Sequence, residues 1–303
     1  MIVPIYDDQV VTDTPQAPLR QLSLGISPCP NDTFIFHALI HGLAPREPGF
    51  GISRLVMADV EELNSLAAQG GLDVVKISLA AIPDAAPHYR LLPCGGALGR
   101  GCGPLLVARA DRDPQKPFES LALPGARTTA ALLASLAGVP GKRVQLRYDE
   151  VMPAVARGEV DAGVVIHEGR FTYAALGLRL VMDFGDWWER SYGLPLPLGV
   201  IAVRRDMEPE AVALVERAIK ASLAHAWANP QDSAAFVAEN AQELSPEVTA
   251  AHIETFVTPF SMDVGQEGRK AIEALAAEAM RQAGRPMPEG GLEDGLFTPS
   301  APC

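Results

Sequence analysis

The chain has 303 residues, which exceeds what one hydrophobic core usually supports and therefore favours two domains. Hydrophobic residues make up 48% of it and charged residues 20%, a composition that excludes intrinsic disorder and fibrous repeats. The net charge of −12 argues against a nucleic-acid partner, because phosphate binding needs a basic face, but it allows an anionic small molecule at a locally positive site.

The amino-terminal segment 1–20 is rich in Asp, Pro and Thr and is predicted to be an irregular extension. It lacks the basic start and apolar run of a secretory signal. No apolar stretch reaches the ~20 residues that a membrane helix needs, so no membrane partner is expected. The four cysteines show no CxxC spacing, which favours reduced thiols. Together these features predict a cytoplasmic protein.

Short apolar runs alternate with helical patterns from Leu22 onward, which is typical of an α/β sheet with parallel strands. The first run, 22–27, predicts a strand, and a helix at about 33–41 follows a break that contains Asn31 and Asp32 as possible caps. The series continues with strands at 52–57, 73–77, 89–93 and 104–109, a helix at 59–69 and a short helix after Ser78.

A polar stretch after Arg109 predicts a domain boundary. A second alternating set follows, with strands at 121–123, 143–148 and 162–166 and helices at 128–138 and 149–157. A strand at 198–204 and a nearly all-helical region at 208–282 complete the pattern, and the tail beyond it is expected to be irregular.

One domain is therefore predicted to be inserted into another. The large α/β domain comprises 21–108 and 200–303, and the small α/β domain comprises 109–199. Two crossings, near 105–110 and 197–204, would join them and leave a cleft between them. Ligands favour such domain interfaces and the carboxyl ends of parallel strands.

Four predicted strands end in small polar or titratable residues, in the segments 27–33, 76–78, 125–129 and 166–170. Helices that begin there offer free N–H groups and a positive dipole end, which suit a carboxylate or an oxyanion. Ser78, Thr128 and Thr129 are therefore candidates for binding a polar ligand group, although each is also an ordinary helix cap. Lys76 either supplies charge to the site or extends its ammonium group to solvent.

His167 is the candidate reactive side chain, because it follows an apolar strand and should emerge at the strand's carboxyl end. A neutral imidazole can accept a proton near pH 7, as a general base must. A structural or solvent-exposed histidine is the alternative. His37 and His41 lie four residues apart, but without an HExxH motif or a third ligand they predict no zinc site. The glycine-rich stretch 95–104 leads into a strand rather than a helix, which excludes a nucleotide-binding loop.

Four long segments, in this order, closely resemble the 1,4-dihydroxy-6-naphthoate synthases of the futalosine route to menaquinone. They are SPCPNDTFIFHALIHG (27–42), GGALGRGCGPLLVAR (95–109), GEVDAGVVIHEGRFTY (158–173) and GLPLPLGVIAVRRD (193–206). The resemblance extends from about Leu22 to at least Arg269, and several long segments in one order are far more specific than a short motif.

The resemblance implies the two-lobed fold of the second type of periplasmic binding protein, in agreement with the insertion pattern. It implies a lyase that converts cyclic dehypoxanthinylfutalosine into 1,4-dihydroxy-6-naphthoate and releases the sugar-derived fragment, without a metal or an organic cofactor. The family's proton-accepting histidine falls on His167, and its substrate-contacting residues fall on Lys76, Ile77, Ser78, Thr128 and Thr129, with Ile77 in place of a leucine. Asn31 and Asp32 are further candidates for the cleft.

Two other functions stay open at this point. A non-catalytic solute-binding or sensor protein could use the same fold, and chorismate dehydratase is a relative of similar fold in the same pathway. The carboxylate that would orient the imidazole is also open, with Glu168, Asp149 and Asp161 as candidates. The sequence predicts a small-molecule substrate but no oligomeric state.

Overall fold

The computed structural model describes residues 20–45, 50–241, 245–286 and 295–298, so the predicted extension 1–20 lies outside them except for its last residue. Strands and helices alternate through most of the described chain. The strands are β1 (Arg20–Ile26), β2 (Phe50–Met57), β3 (Val74–Ser78), β4 (Tyr89–Leu91), β5 (Ala97–Gly99), β6 (Leu105–Arg109), β7 (Ser120–Leu123), β8 (Lys142–Gln145), β9 (Ala162–Val165), β10 (Leu178–Asp183) and β11 (Leu196–Arg204).

Most of the helices lie in the predicted helical regions, with ends shifted by a few residues, and α7 is an addition. The helices are α1 (Pro30–Ile40), α2 (Val60–Ala68), α3 (Ile82–Ala85), α4 (Thr129–Leu136), α5 (Tyr148–Ala156), α6 (Gly169–Thr172), α7 (Phe184–Tyr192), α8 (Pro209–Ala228), α9 (Ala234–Asn240), α10 (Pro246–Phe256), α11 (Pro259–Met262) and α12 (Gly265–Gln282). Within the described ranges, every helix is too short or too polar to cross a membrane.

The long helical region at 208–282 is divided where prolines occur. Pro209, Pro246 and Pro259 each lie at the start of a helix. Proline suits the first turn because its missing N–H would have no intrahelical acceptor there, and its fixed φ already matches the helix. The prolines therefore turn one predicted helical stretch into a set of helices that pack around the first sheet.

The first sheet has the strand order β2-β1-β3-β11-β4, with β5 also paired to β11. Strands β1, β2 and β3 are parallel, and β11 runs antiparallel to β3, β4 and β5. All five residues of β3 are buried, as its position between β1 and β11 requires. The carboxyl ends of β1 and β3 therefore lie side by side at one edge of the sheet.

The second sheet has the order β10-β6-β9-β7-β8. Strands β7, β8 and β9 are parallel, while β6 runs antiparallel to both β9 and β10. With its helices, this sheet forms the second half of an α/β molecule with two sheets. The predicted fold class is thereby confirmed.

The chain passes between the sheets just before β6 and returns just before β11. Both passages precede the places that the sequence predicts, and β6 pairs in the second sheet, whereas the predicted domain boundary lies after it. The polar segment after Arg109 is a surface turn, in which the N–H of Arg112 donates to the carbonyl of Arg109. Polarity identified a loop here, but strand pairing decides which sheet a strand belongs to.

The elements not predicted from the sequence include β5, which lies within the glycine-rich stretch 95–104, β10 and α7. Strand β10 lies at the edge of its sheet and leaves Leu180 and Val181 exposed, so it lacks the continuous apolar pattern of a central strand. The limits of helix α7 could have been predicted from the residues at its two ends. The side chain of Asp183 accepts hydrogen bonds from the N–H groups of Gly185 and Asp186, and Gly193 ends the helix in the left-handed conformation.

Part of the tail also differs from the expected irregular end. Leu296 and Phe297 are buried, and Phe297 forms a bridge with Leu91 in β4. The N–H of Thr298 donates to the carbonyl of Leu91 at 3.0 Å. Residues 287–294 and 299–303 of the tail lie outside the described residues.

Candidate active site

A cleft between the two sheets brings together all eight residues that the sequence analysis singled out. Its lining includes Asn31, Asp32, Lys76, Ile77, Ser78, Thr128, Thr129 and His167. They come from four places far apart in the chain: the start of α1, the carboxyl end of β3, the start of α4 and the segment after β9. The first sheet supplies the first two of these and the second sheet supplies the others, as the predicted cleft requires.

A buried ion pair occupies the side of the cleft formed by the first sheet. The Lys76 ammonium lies 2.5 Å from a carboxylate oxygen of Asp32, and only 6% and 1% of these side chains are exposed. Asp32 also accepts from the hydroxyl of Ser27 at 2.7 Å and from the amide of Asn31 at 2.8 Å. A buried charge needs such complete pairing to be tolerated. Lys76 therefore does not extend to solvent, which was the alternative in the sequence.

Gly199 in β11 provides the space that the Lys76 side chain occupies. A Cβ atom at this position would lie 2.8 Å from the Cε of Lys76, closer than carbon atoms pack. The antiparallel register places Gly199 opposite Ser78, which lies two residues after Lys76 in β3. The glycine thus allows a long charged side chain to lie flat against the sheet.

Asn64 in α2 fixes the position of Ser78. The Asn64 carbonyl oxygen accepts from the Ser78 N–H at 2.8 Å, and its amide donates to the Ser78 hydroxyl oxygen at 3.1 Å. Because the amide supplies a donor to that oxygen, the Ser78 hydroxyl is left to donate its own proton into the cleft. Asn64 is fully buried, and the sequence analysis missed it because its helix contained no sign that it faces this strand.

The two threonines at the start of α4 use their hydroxyls within the protein. Thr128 accepts from the N–H of Ala131 at 3.2 Å and donates to the Gly125 carbonyl at 2.8 Å. The Thr129 hydroxyl donates to the carbonyl of Leu198 at 2.8 Å. The first N–H groups of a helix have no intrahelical acceptors, and Thr129 and Ala130, the first two residues of α4, belong to the cleft lining. This helix start can therefore hold an anionic oxygen through its backbone.

The cap geometry predicts that Thr128 supports stability more than ligand binding. We expect Thr128→Val to lower the free energy of unfolding by about 1 kcal/mol, the usual value of an N-cap hydroxyl. Thr128→Ser keeps the hydroxyl and is expected to keep the wild-type stability. Chemical denaturation measures both variants. A valine variant of unchanged stability but weakened substrate binding would show instead that the hydroxyl binds the ligand.

His167 follows β9 and has an unusual backbone conformation. Among the described residues other than glycine, it alone has a positive φ, of 54°. The left-handed region is unfavourable for most side chains, and such outliers concentrate at functional sites. The turn directs the imidazole into the cleft rather than along the sheet. The predicted exit of His167 at the end of the strand is thus seen in the structure.

The imidazole of His167 lies between Cys29 and Tyr148, neither of which was predicted to belong to the site. The Cys29 Sγ lies 3.3 Å from Nδ1 and 3.6 Å from Nε2, and the Tyr148 ring packs edge-on with its centroid 5.1 Å away. Burial, and next the charge of Asp32, raise the pKa of the Cys29 thiol well above its ordinary value. Cys29 is therefore a neutral neighbour at pH 7 rather than a thiolate.

Burial also determines the protonation state of His167. It lowers the pKa of the imidazole from 6.5 to about 4, with Lys76 acting in the same direction and Asp32 against it. Removing a charged ring from water is unfavourable, so the neutral form is preferred. His167 is therefore unprotonated at neutral pH and able to accept a proton.

Two of the three carboxylates considered as partners of His167 are engaged elsewhere. Asp149 pairs with Arg147, and Asp161 accepts from the N–H groups of Glu119 and Ser120 at 2.7 and 3.1 Å. Glu168 lies near the site, since its charge acts on the pKa of Cys29. Closeness in sequence to His167 therefore did not distinguish Glu168 from the two carboxylates that are engaged elsewhere.

A second imidazole, that of His252 in α10, also lines the cleft. It is 1% exposed, and its ring lies 6.2 Å from that of His167 at an interplanar angle of 24°. It belongs to the long helical region, in which no motif indicated a functional residue. Within the described residues, no group of three or more His, Cys, Asp or Glu side chains is placed to hold a metal ion.

The fold and the cleft define a two-lobed protein of the periplasmic-binding-protein type. The aliphatic sulphonate binding protein of Escherichia coli has the same fold at 15% identity, with a TM-score of 0.59 over 88% of each chain. The alkanesulfonate-binding protein of Xanthomonas axonopodis pv. citri gives 0.67 at 15% identity, over 93% of this chain and 99% of its own. A crystal structure of an Archaeoglobus fulgidus protein has a TM-score of 0.80 at 32% identity. The match covers 87% of this chain and 98% of that protein.

The chain belongs to the menaquinone-biosynthesis family, whose sequence profile matches residues 22–281. It is 48% identical over 267 residues to the 1,4-dihydroxy-6-naphthoate synthase of Thermus thermophilus. This alignment covers 86% of this chain and 94% of the relative. It is 43% identical over 264 residues to the synthase of the same name from Streptomyces coelicolor. This alignment covers 85% of this chain and 92% of that relative. The resemblance found in the four segments is confirmed.

Proposed function

We propose that this protein is a lyase that converts cyclic dehypoxanthinylfutalosine into 1,4-dihydroxy-6-naphthoate in menaquinone biosynthesis, with His167 as the general base. The observation that supports this assignment most is the imidazole of His167, which follows β9 and lines the cleft at a left-handed turn. The two synthases named above are similar over most of the chain. No organic cofactor or metal takes part in the proposal, and the cytoplasmic location stays a prediction.

The proposed chemistry begins with proton transfer from carbon to a ring nitrogen of His167. The bicyclic carbon skeleton of the substrate then fragments, the sugar-derived part leaves, and the new ring becomes aromatic. Aromatisation supplies driving force, so the protein has to position the base, provide oriented donors and exclude water. The contacts of the His167 imidazole with Cys29 and Tyr148 would hold this neutral base in position.

Two donor groups across the cleft would hold the oxygens of the substrate. We assign the substrate carboxylate to the N–H groups of Thr129 and Ala130 at the start of α4, where the helix dipole is positive. The Ser78 hydroxyl, oriented by Asn64, would donate to a second oxygen. In this proposal Lys76 and Asp32 bind no substrate atom directly, because they are paired with each other, and they set the local charge.

The domain division is part of the same proposal. The large domain comprises 21–108 and 200–303 and the small domain 109–199, with two adjustments: β6 goes with the small domain and the start of β11 (196–199) with the large one, because they pair there. Contacts already join the two sides: Glu61 in α2 accepts from the N–H of Arg127 at 3.0 Å, and the Arg127 carbonyl accepts from the amide of Asn64 at 3.3 Å. Closure of such lobes would exclude water from the reaction.

Incubation of the purified protein with cyclic dehypoxanthinylfutalosine, followed by mass detection of 1,4-dihydroxy-6-naphthoate, tests the activity directly. Product is expected in the absence of added metal. Binding without product would favour a solute-binding or sensor protein instead. Turnover of chorismate in a parallel reaction would favour the dehydratase of the same pathway.

The lowered pKa of His167 predicts the acid limb of the pH profile. The base acts when unprotonated, so its contribution is complete above its folded-state pKa and is lost as the pH falls through about 4. We therefore expect kcat/KM to stay level from about pH 7 to about pH 5 and to fall below that. Enzyme that is held at low pH and returned to neutral buffer controls for acid unfolding. An acid limb near 6.5 would contradict the lowered pKa of His167.

A further inference from the structure

The two donor groups proposed to hold the substrate belong to different domains. The Ser78 hydroxyl lies at the end of β3 in the large domain, whereas Thr129 and Ala130 begin α4 in the small domain. One ligand can use both groups fully only when the two domains keep the right spacing. The contacts that set this spacing therefore bear on substrate affinity.

Arg127, which comes just before the cap of α4, is bound by the large domain through its backbone and its side chain. Its N–H donates to Oε2 of Glu61 at 3.0 Å, and its carbonyl accepts from the Asn64 amide at 3.3 Å. Its guanidinium lies 3.6 Å from the other carboxylate oxygen of Glu61, and its Nε donates to Asp84 at 3.1 Å. These contacts join α2 and α3 to the residue that leads into α4.

Gly125 allows the Glu61 carboxylate to approach this part of the small domain. A Cβ atom at Gly125 would lie 2.6 Å from Oε2 of Glu61, closer than non-bonded atoms pack. Gly125 also has a φ of 132°, which glycine adopts far more readily than other residues. The backbone before α4 thus leaves room for a carboxylate that comes from the other domain.

Of the two acids that contact Arg127, Glu61 binds it at more than one point. Glu61 accepts from the backbone N–H and lies beside the guanidinium. Asp84 accepts from the guanidinium and is shared with Arg285, at 2.9 Å. Only 25% of the Glu61 side chain is exposed, so solvent screens its interactions less than those of a fully exposed ion pair.

We infer that Glu61 is a positioning residue for the reaction, because by binding Arg127 it holds the start of α4 at the distance from Ser78 that one substrate molecule spans. This inference rests on the proposed function. Without the carboxylate, a smaller fraction of the free protein has the binding-competent arrangement, and the apparent affinity falls by that fraction. Bound substrate itself joins the two domains, so the chemical step changes little.

Glu61→Ala is expected to raise KM about tenfold and to leave kcat within about twofold of the wild-type value. Glu61→Gln keeps an acceptor for the Arg127 N–H but loses the charge, so its KM should lie between those of the alanine variant and the wild type. Glu62→Ala is the matched control, because Glu62 is the next residue of the same helix and is exposed. Its KM is expected to equal that of the wild type.

Small-angle X-ray scattering measures the domain arrangement without turnover. Ligand-free Glu61→Ala is expected to have a larger radius of gyration than the wild type, and saturating 1,4-dihydroxy-6-naphthoate should restore the wild-type value. If the wild type is active and the alanine variant keeps the wild-type KM or the wild-type radius, or loses kcat alone, the inference is overturned while the proposed function stands. If the wild type forms no product, the proposed function is overturned, and this inference with it.

Discussion

Replacement of His167 is expected to reduce turnover of cyclic dehypoxanthinylfutalosine by about 10²–10⁴-fold in kcat, the range that a positioned general base contributes. The remaining groups of the cleft would still bind substrate, so KM should change much less than kcat. Single-turnover measurement of naphthoate formation gives the rate of the chemical step.

The choice of substitution matters because of the backbone at this position. A left-handed residue with φ of 54° is strained for alanine, whereas asparagine adopts this region more readily. His167→Asn therefore removes the base with the least effect on the fold, and His167→Ala serves as a second variant. His88→Ala, at an exposed position, controls for the loss of an imidazole as such. Wild-type turnover in a folded His167→Asn variant would refute the role of the base.

Removal of the buried carboxylate of Asp32 is expected to have the largest effect on stability. Asp32→Ala leaves the Lys76 ammonium buried without its partner, and breaking a buried ion pair in this way lowers the free energy of unfolding by about 3–5 kcal/mol. Ser27 and Asn31 would also lose their acceptor. Equilibrium unfolding in urea measures the change.

Two further variants show whether the loss comes from the unpaired charge. Asp32→Leu combined with Lys76→Met removes both charges and should recover part of the stability, since apolar replacement of a whole buried pair is often tolerated. Glu159→Gln breaks the exposed pair with Arg157 and should leave the midpoint unchanged. A double variant no more stable than Asp32→Ala would contradict this account.

Local patterns were sufficient for the elements of the central sheets. The parallel strands and their helices have continuous apolar runs, caps and breaks that the chain itself displays, as in β1 followed by α1. Edge elements were less visible: β10 exposes part of its apolar surface, and its pairing with β6 depends on a distant segment. Helix α7, in contrast, had an Asp183 cap and a terminal Gly193 that could have been used.

Those parts of the site that follow strands could be predicted, because ligands favour the carboxyl ends of parallel strands and the interface between domains. Lys76, Ser78 and His167 were found in this way and lie in one cleft. Asn64, Cys29 and Tyr148 were not, since each is an ordinary residue of a helix or loop until the fold brings it into contact.

By itself, the sequence determined the α/β class, the family and the segments that end at the cleft, because periodicity, caps and long ordered motifs are properties of neighbouring residues. Tertiary structure alone decided that Lys76 pairs with Asp32, that the Thr128 hydroxyl is a cap, and that His252 faces the site from the helical region. Hydrogen bonding, burial and pKa depend on atoms that are close in space, and no local pattern in the chain reports those distances.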